Sequence, residues 1–128
     1  MIRVDRPARF AIATADADLG QRLCAALTDG GTAAARVVSY IDVARGDAAA
    51  DAVFIDIAGQ PASLACIEAL RDPRRPRVPV IVAARRDELA LLSRALVLGA
   101  DDFVTHPVDT AAVALRFRAR MARGVRSA

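Results

Sequence analysis

The sequence predicts an α/β fold, a doubly wound parallel sheet with helices on both faces. Three observations point there. Short apolar runs alternate with helical periodicity five times along the chain, the pattern of parallel strands joined by right-handed crossovers. The run Val53-Phe54-Ile55 is continuously apolar, β-branched and aromatic, which suits a central strand covered on both faces. That run stops at one carboxylate, Asp56, at the carboxyl end of the strand, where ligands and chemistry gather in open α/β sheets.

Each element has its own local signal. Arg9 to Thr14 reads as the first strand, after Pro7. Asp16-Ala17-Asp18 supplies capping chemistry, and Leu19, Leu23, Cys24, Ala26 and Leu27 recur at helical spacing up to Asp29-Gly30-Gly31. Ala35 to Tyr40 reads as the second strand, and the segment from Ile41 to Ala50 holds at most a short helix broken by Gly46. The third strand ends at Asp56, Gly59-Gln60-Pro61 breaks the chain, and Pro61 or Ser63 starts a helix carrying Leu64, Cys66, Ile67 and Leu70. Asp72 to Arg77 is a proline-arginine loop. Val78 to Ala84 is the fourth strand, with Pro79 at its start, where a missing amide donor does least harm. Asp87 to Leu98 is an apolar helix bearing Leu89, Leu92 and Leu96, closed by Gly99. Asp102 to His106 is the fifth strand. Pro107 and an Asp109-capped helix follow, with Val113, Leu115, Phe117 and Met121 inward and Arg116, Arg118, Arg120 and Arg123 outward. Gly124 to Ala128 is expected to fray.

Composition sets bounds. At 128 residues and 13.5 kDa, residues 1–128 make one domain, large enough for a core without staples. The chain is 55% hydrophobic, but 30 of those residues are alanine and only 4% of the chain is aromatic, so the core is finely divided. All 18 basic residues are arginine. A net charge of +3, with scattered arginines and few rings for stacking, does not argue for nucleic-acid binding. Cys24 and Cys66 have neither metal-type spacing nor a CxxC motif, so free core thiols are expected. The residues from Met1 to Arg6 lack a signal-length apolar region, and no stretch is long enough for a bilayer, so the expectation is a cytoplasmic protein without membrane contact.

With these elements placed, the chain resembles the receiver domain of two-component response regulators over essentially its whole length. Phe10-Ala11-Ile12-Ala13, Val53-Phe54-Ile55-Asp56 and Val78-Pro79-Val80-Ile81-Val82 match three of its strands. The stretch from Leu98 to Pro107 is similar to the family's Gly-Ala-Asp-Asp-aromatic … Lys-Pro segment. The last helix is most similar to receivers that precede an output domain, including those of diguanylate-cyclase-type regulators.

The resemblance implies a five-stranded sheet of order 2-1-3-4-5 in a flavodoxin-like (CheY-like) three-layer sandwich. It places Asp56 at the phosphoacceptor position, Phe103 at the switch aromatic, and a cis bond before Pro107. It also implies Mg²⁺, a lysine and a hydroxyl around the acceptor, because charge on phosphoryl oxygens must be neutralised. Here the sequence departs from the pattern. Thr14 and Ala15 fill the two acidic positions after the first strand, leaving Asp16 and Asp56 as the only candidate metal ligands. Ala84 stands at the hydroxyl position and His106 at the lysine position, and Pro61 comes one residue late after Asp56. An imidazole, with an ordinary pKa of ~6.5, is a poor electrostatic substitute for an ammonium; the alternative reading of His106 is a polar residue closing a strand.

Three functions compete. The first is an atypical, phosphorylation-impaired receiver, not an enzyme, that acts through protein contacts. Its surface would be the face of the fourth helix, fifth strand and fifth helix, carrying Leu89, Leu91, Asp101, Asp102, Arg116, Arg118 and Arg120. Its partner would be a second copy, a histidine kinase or a C-terminal output domain. The alternative reading of that charge pattern is a solvated helix face. The second function is an active receiver phosphorylated on Asp56 by a histidine kinase. The third, a small flavodoxin-like nucleotide-binding enzyme, lacks a glycine-rich phosphate loop after the first strand and a nucleophile–base pair.

Overall fold

Parallel pairing orders the strands β2-β1-β3-β4-β5, as the resemblance implied. The computed structural model describes residues 7–29, 31 and 33–127, with side chains to residue 122. The N-terminal leader reading, Gly30 and Ala128 lie outside the described residues. The elements are β1 (Arg9–Ala13), α1 (Ala17–Thr28), β2 (Ala34–Val37), α2 (Tyr40–Arg45), β3 (Ala52–Asp56), a 3-10 turn (Pro61–Ser63), α3 (Leu64–Leu70), β4 (Val80–Ala84), α4 (Leu89–Leu98), β5 (Asp102–Thr105) and α5 (Thr110–Ser127). β3 and β4 are buried at every residue, which explains their unbroken apolar runs.

The sheet separates two apolar layers. On one side, Ala11, Val53, Ile55, Val80 and Val82 pack with Val43 of α2, Ile67 of α3 and Leu92 of α4. On the other, Phe10, Ile12, Phe54 and Ile81 pack with Leu19 and Leu23 of α1 and with Val113 and Phe117 of α5. The rings of Phe10 and Phe117 meet edge to face at 5.5 Å.

Several sequence expectations are corrected. Tyr40 does not end β2 but opens α2, because Ser39 caps that helix, its Oγ accepting from Asp42 N. Gly46 then ends α2 at φ 80°. Leu115 of α5, read as facing inward, is exposed, because only one stripe of the helix meets the sheet; Val113, Ala114 and Phe117 occupy it, as Leu92 and Ala95 do in α4. Helix α5 runs through Gly124 to Ser127; one glycine costs only ~1 kcal/mol in a helix. Among the described residues no helix is long and apolar enough to cross a membrane.

One charged residue ties the amino end of β4 to its neighbours. Arg71, just after α3, donates from Nε to Gly99 O, from Nη1 to Val78 O and from Nη2 to Asp101 Oδ2, each at 2.9 Å. Asp101 also accepts from Val80 N and Arg77 Nη2. Both side chains of the Arg71–Asp101 pair are largely buried, and burial pulls the Arg71 pKa down while Asp101 opposes it.

Removing one partner of a buried pair costs ~3–5 kcal/mol, so Arg71→Ala is expected to lower unfolding free energy by about 3 kcal/mol in urea. Arg71→Lys should recover little of it, because one ammonium cannot serve three diverging acceptors; full recovery would assign the effect to charge alone.

Candidate functional site

The carboxyl ends of β1, β3 and β5 converge on Asp56. It is the last residue of β3 and only 5% exposed, so its carboxyl oxygens require donors. Thr14, following β1, donates from Oγ1 to Asp56 Oδ2 at 2.7 Å. His106, following β5, places Nε2 2.9 Å from Asp56 Oδ1. Ala58 N donates to the same oxygen at 3.2 Å. The histidine reaches Asp56 across the end of β4, where Ala84 is fully buried and His106 N donates to Ala84 O. A methyl group there offers Asp56 no hydroxyl.

The remaining sequence-predicted positions fall around this cluster. Thr14 Oγ1 also accepts from Asp16 N, so one hydroxyl links Asp56 to the start of α1. Asp16 is the N-cap of α1: its Oδ1 accepts from Leu19 N. Ala15 is exposed at the rim. The His106–Pro107 bond is cis. Phe103 pairs with Val82 in the sheet and is 40% exposed.

Three residues at the site were not singled out from the sequence. Tyr40 donates from its hydroxyl to the backbone oxygen of Asp56. Burial, with the negative charge of Asp56 as the second cause, pushes its pKa up to about 12. Ser39 before it was the available signal, as an N-cap residue. Arg85 lines an open hollow of about 400 Å³ together with Ala15, Asp16, Asp56, Ala58 and His106. Glu88 accepts from Arg85 N at 2.8 Å and Gly59 N at 3.0 Å, joining the loops after β4 and β3. Those backbone donors hold its pKa below the usual carboxylate range.

The donor set fits Mg²⁺ poorly. Among the described residues no three His, Cys, Asp or Glu side chains converge as metal ligands. Asp56 has both oxygens engaged within the chain, and Asp16 spends one on its helix.

Neither a family model nor a curated protein matches the sequence. Solved structures match the fold. The receiver domain of the TMAO respiratory system response regulator TorR is 24% identical at a TM-score of 0.78, covering 91% of this chain and 98% of that one. The receiver domain of the Francisella response regulator 1452 is 19% identical at 0.75, covering 91% and 98%. NtrX from Brucella abortus, solved with ADP, is 23% identical at 0.72, covering 93% of this chain and 29% of that longer one. The chain has the CheY-like receiver fold.

The chain holds one tyrosine and no tryptophan, so phenolate absorbance reports Tyr40 alone. Its titration midpoint is expected near pH 12 and to move down, though not back to ~10, in Asp56→Asn, since burial remains. The raised pKa makes the stabilising contribution complete below the ordinary value and lost as pH climbs toward about 12. A wild-type midpoint at the ordinary phenol value would contradict this geometry.

Proposed function

We propose that this chain is a non-enzymatic receiver module of two-component signalling that does not run the standard phosphorelay and acts through protein contacts. The observation that carries this reading is the state of Asp56, whose carboxyl oxygens are both held by Thr14, His106 and Ala58. Phosphoryl transfer to a carboxylate needs a free oxygen facing the donor, with preorganised cations and hydrogen-bond donors around the transferring group. Here Thr14 and Ala15 bring no carboxylate, Ala84 brings no hydroxyl and an imidazole stands at the lysine position. Any Mg²⁺ would be held weakly, through Asp16 and Asp56. One observation favours the second reading, a working receiver: Arg85 sets a guanidinium at the mouth of the hollow, where it could meet phosphoryl oxygens.

The contact surface in this reading is the face of α4, β5 and α5. Leu89 and Phe103 are exposed on its elements, and Asp102 pairs with Arg116 at its edge. Two residues expected on it are otherwise engaged: Asp101 is held by Arg71 and Arg77, and Leu91 packs against the core. Arg118 lies roughly 160° round α5 from Arg116, away from β5. The partner we favour is a second copy or an output domain; a histidine kinase belongs to the second reading.

Incubation with acetyl phosphate and Mg²⁺ is expected to leave the intact mass of the wild-type chain unchanged. The combined variant Thr14→Asp, Ala15→Asp, Ala84→Thr and His106→Lys should gain one phosphoryl group, and lose that gain when Asp56→Asn is added. A wild-type gain abolished by Asp56→Asn would establish the working receiver instead.

A further inference from the structure

Helices α2 and α3 lie side by side on one face of the sheet and leave a hollow of about 240 Å³ between them. Ala44 of α2, Ala65 of α3 and Ala62 in the turn before it line this hollow, which exists because alanines stand where larger side chains would fill it. None of its lining residues is charged, in a chain that is 26% charged. Its walls are fixed from beneath. Cys66 Sγ donates to Tyr40 O, tying α3 to the first turn of α2, and the Tyr40 hydroxyl donates to the backbone of Asp56.

Ile41 stands on the lip of this hollow and is 62% exposed. One face thus carries a large apolar knob beside an uncharged hole. Charge is arranged in the same sense. Arg45 lies one turn on from Ile41 along α2, roughly 40° round the helix, and Glu68 lies one turn on from Ala65 along α3, roughly 60° round. Both are exposed, and neither forms an ion pair among the described residues. The two helices run in the same direction, because each returns from the end of one parallel strand to the start of the next. A two-fold axis along the groove between them lays α2 of one copy on α3 of another. Ile41 then faces the hollow of the second copy, and Arg45 faces its Glu68; symmetry makes each contact twice. The face is small: helices of six and seven residues are each ~10 Å long and sit ~9 Å apart. That puts the contact under the ~1,200 Å² of stable complexes and makes it weak and concentration-dependent.

We propose that the α2–α3 face self-associates, a second copy docking about this two-fold axis with Ile41 of each copy in the hollow of the other and Arg45 of each on Glu68 of the other. This face is separate from α4, β5 and α5, and the contact forms whether or not Asp56 accepts a phosphoryl group.

Sedimentation equilibrium of the chain is run from micromolar to millimolar concentration, where the mean mass is expected to climb from one chain toward two. Ile41→Ala should weaken association at least tenfold. Arg45→Glu and Glu68→Arg should each do the same, since either sets like charges against one another twice. All three alter exposed side chains and leave the core intact. The decisive measurement mixes Arg45→Glu with Glu68→Arg, because only the mixed dimer recovers two opposite-charge pairs. The mixture is expected to associate at least tenfold more tightly than either variant alone. Leu89→Glu, on the other face, should change nothing. The proposal is overturned by a mass of one chain at every concentration, by wild-type affinity in Ile41→Ala, by a mixture no tighter than its components, or by loss of association in Leu89→Glu, which would move the contact to α4.

Discussion

A carboxyl group buried at the end of a central strand has to be satisfied from within the fold. That requirement organises one end of this molecule. Asp56 ends a strand flanked on both sides, so water reaches it poorly and donors must come from neighbouring strand ends. Thr14 arrives from β1, adjacent to β3, and His106 arrives from β5, with β4 in between. Thr14 and His106 thus serve Asp56 directly, while Ala84 offers it no hydroxyl and Ala15 no carboxylate.

The same hydrogen bonds run outward into the scaffold. Thr14 connects Asp56 to the start of α1 through Asp16 N, and Tyr40 fastens the start of α2 to the backbone of Asp56. Glu88 joins the loops that follow β3 and β4. The site is thus closed by groups that also hold the starts of α1 and α2. At the amino end of the sheet Arg71 and Asp101 play the corresponding part, drawing the end of α3, the start of β4 and the turn after α4 together. Between these ends, the two apolar layers supply non-directional cohesion, and the charged groups determine how the loops sit.

Much of the fold was legible because burial imposes patterns on residue types. β3 and β4 are covered on both faces and had to be continuously apolar; α1 and α5 are covered on one face and had to be periodic. The misreadings came where two signals overlapped. Tyr40 is a good strand residue, yet Ser39 before it captures an amide and starts a helix. Leu115 is apolar but sits off the buried stripe, since a helix presents only part of its circumference to the sheet. Asp101 looked like surface charge beside Asp102, but Arg71, thirty positions earlier, holds it inside.

From sequence, then, came the alternation of strands and helices and the place of Asp56 at a strand end. These are local properties, written in periodicity, caps and composition. Tertiary structure alone decided what Asp56 does with its oxygens, because Thr14 and His106 lie 42 and 50 positions away in the chain. It also decided that Tyr40, Arg85 and Glu88 belong to the site, and that Ile41 stands beside an uncharged hollow between α2 and α3. Such meetings depend on which strand ends become neighbours, which is not a property of any short stretch of residues.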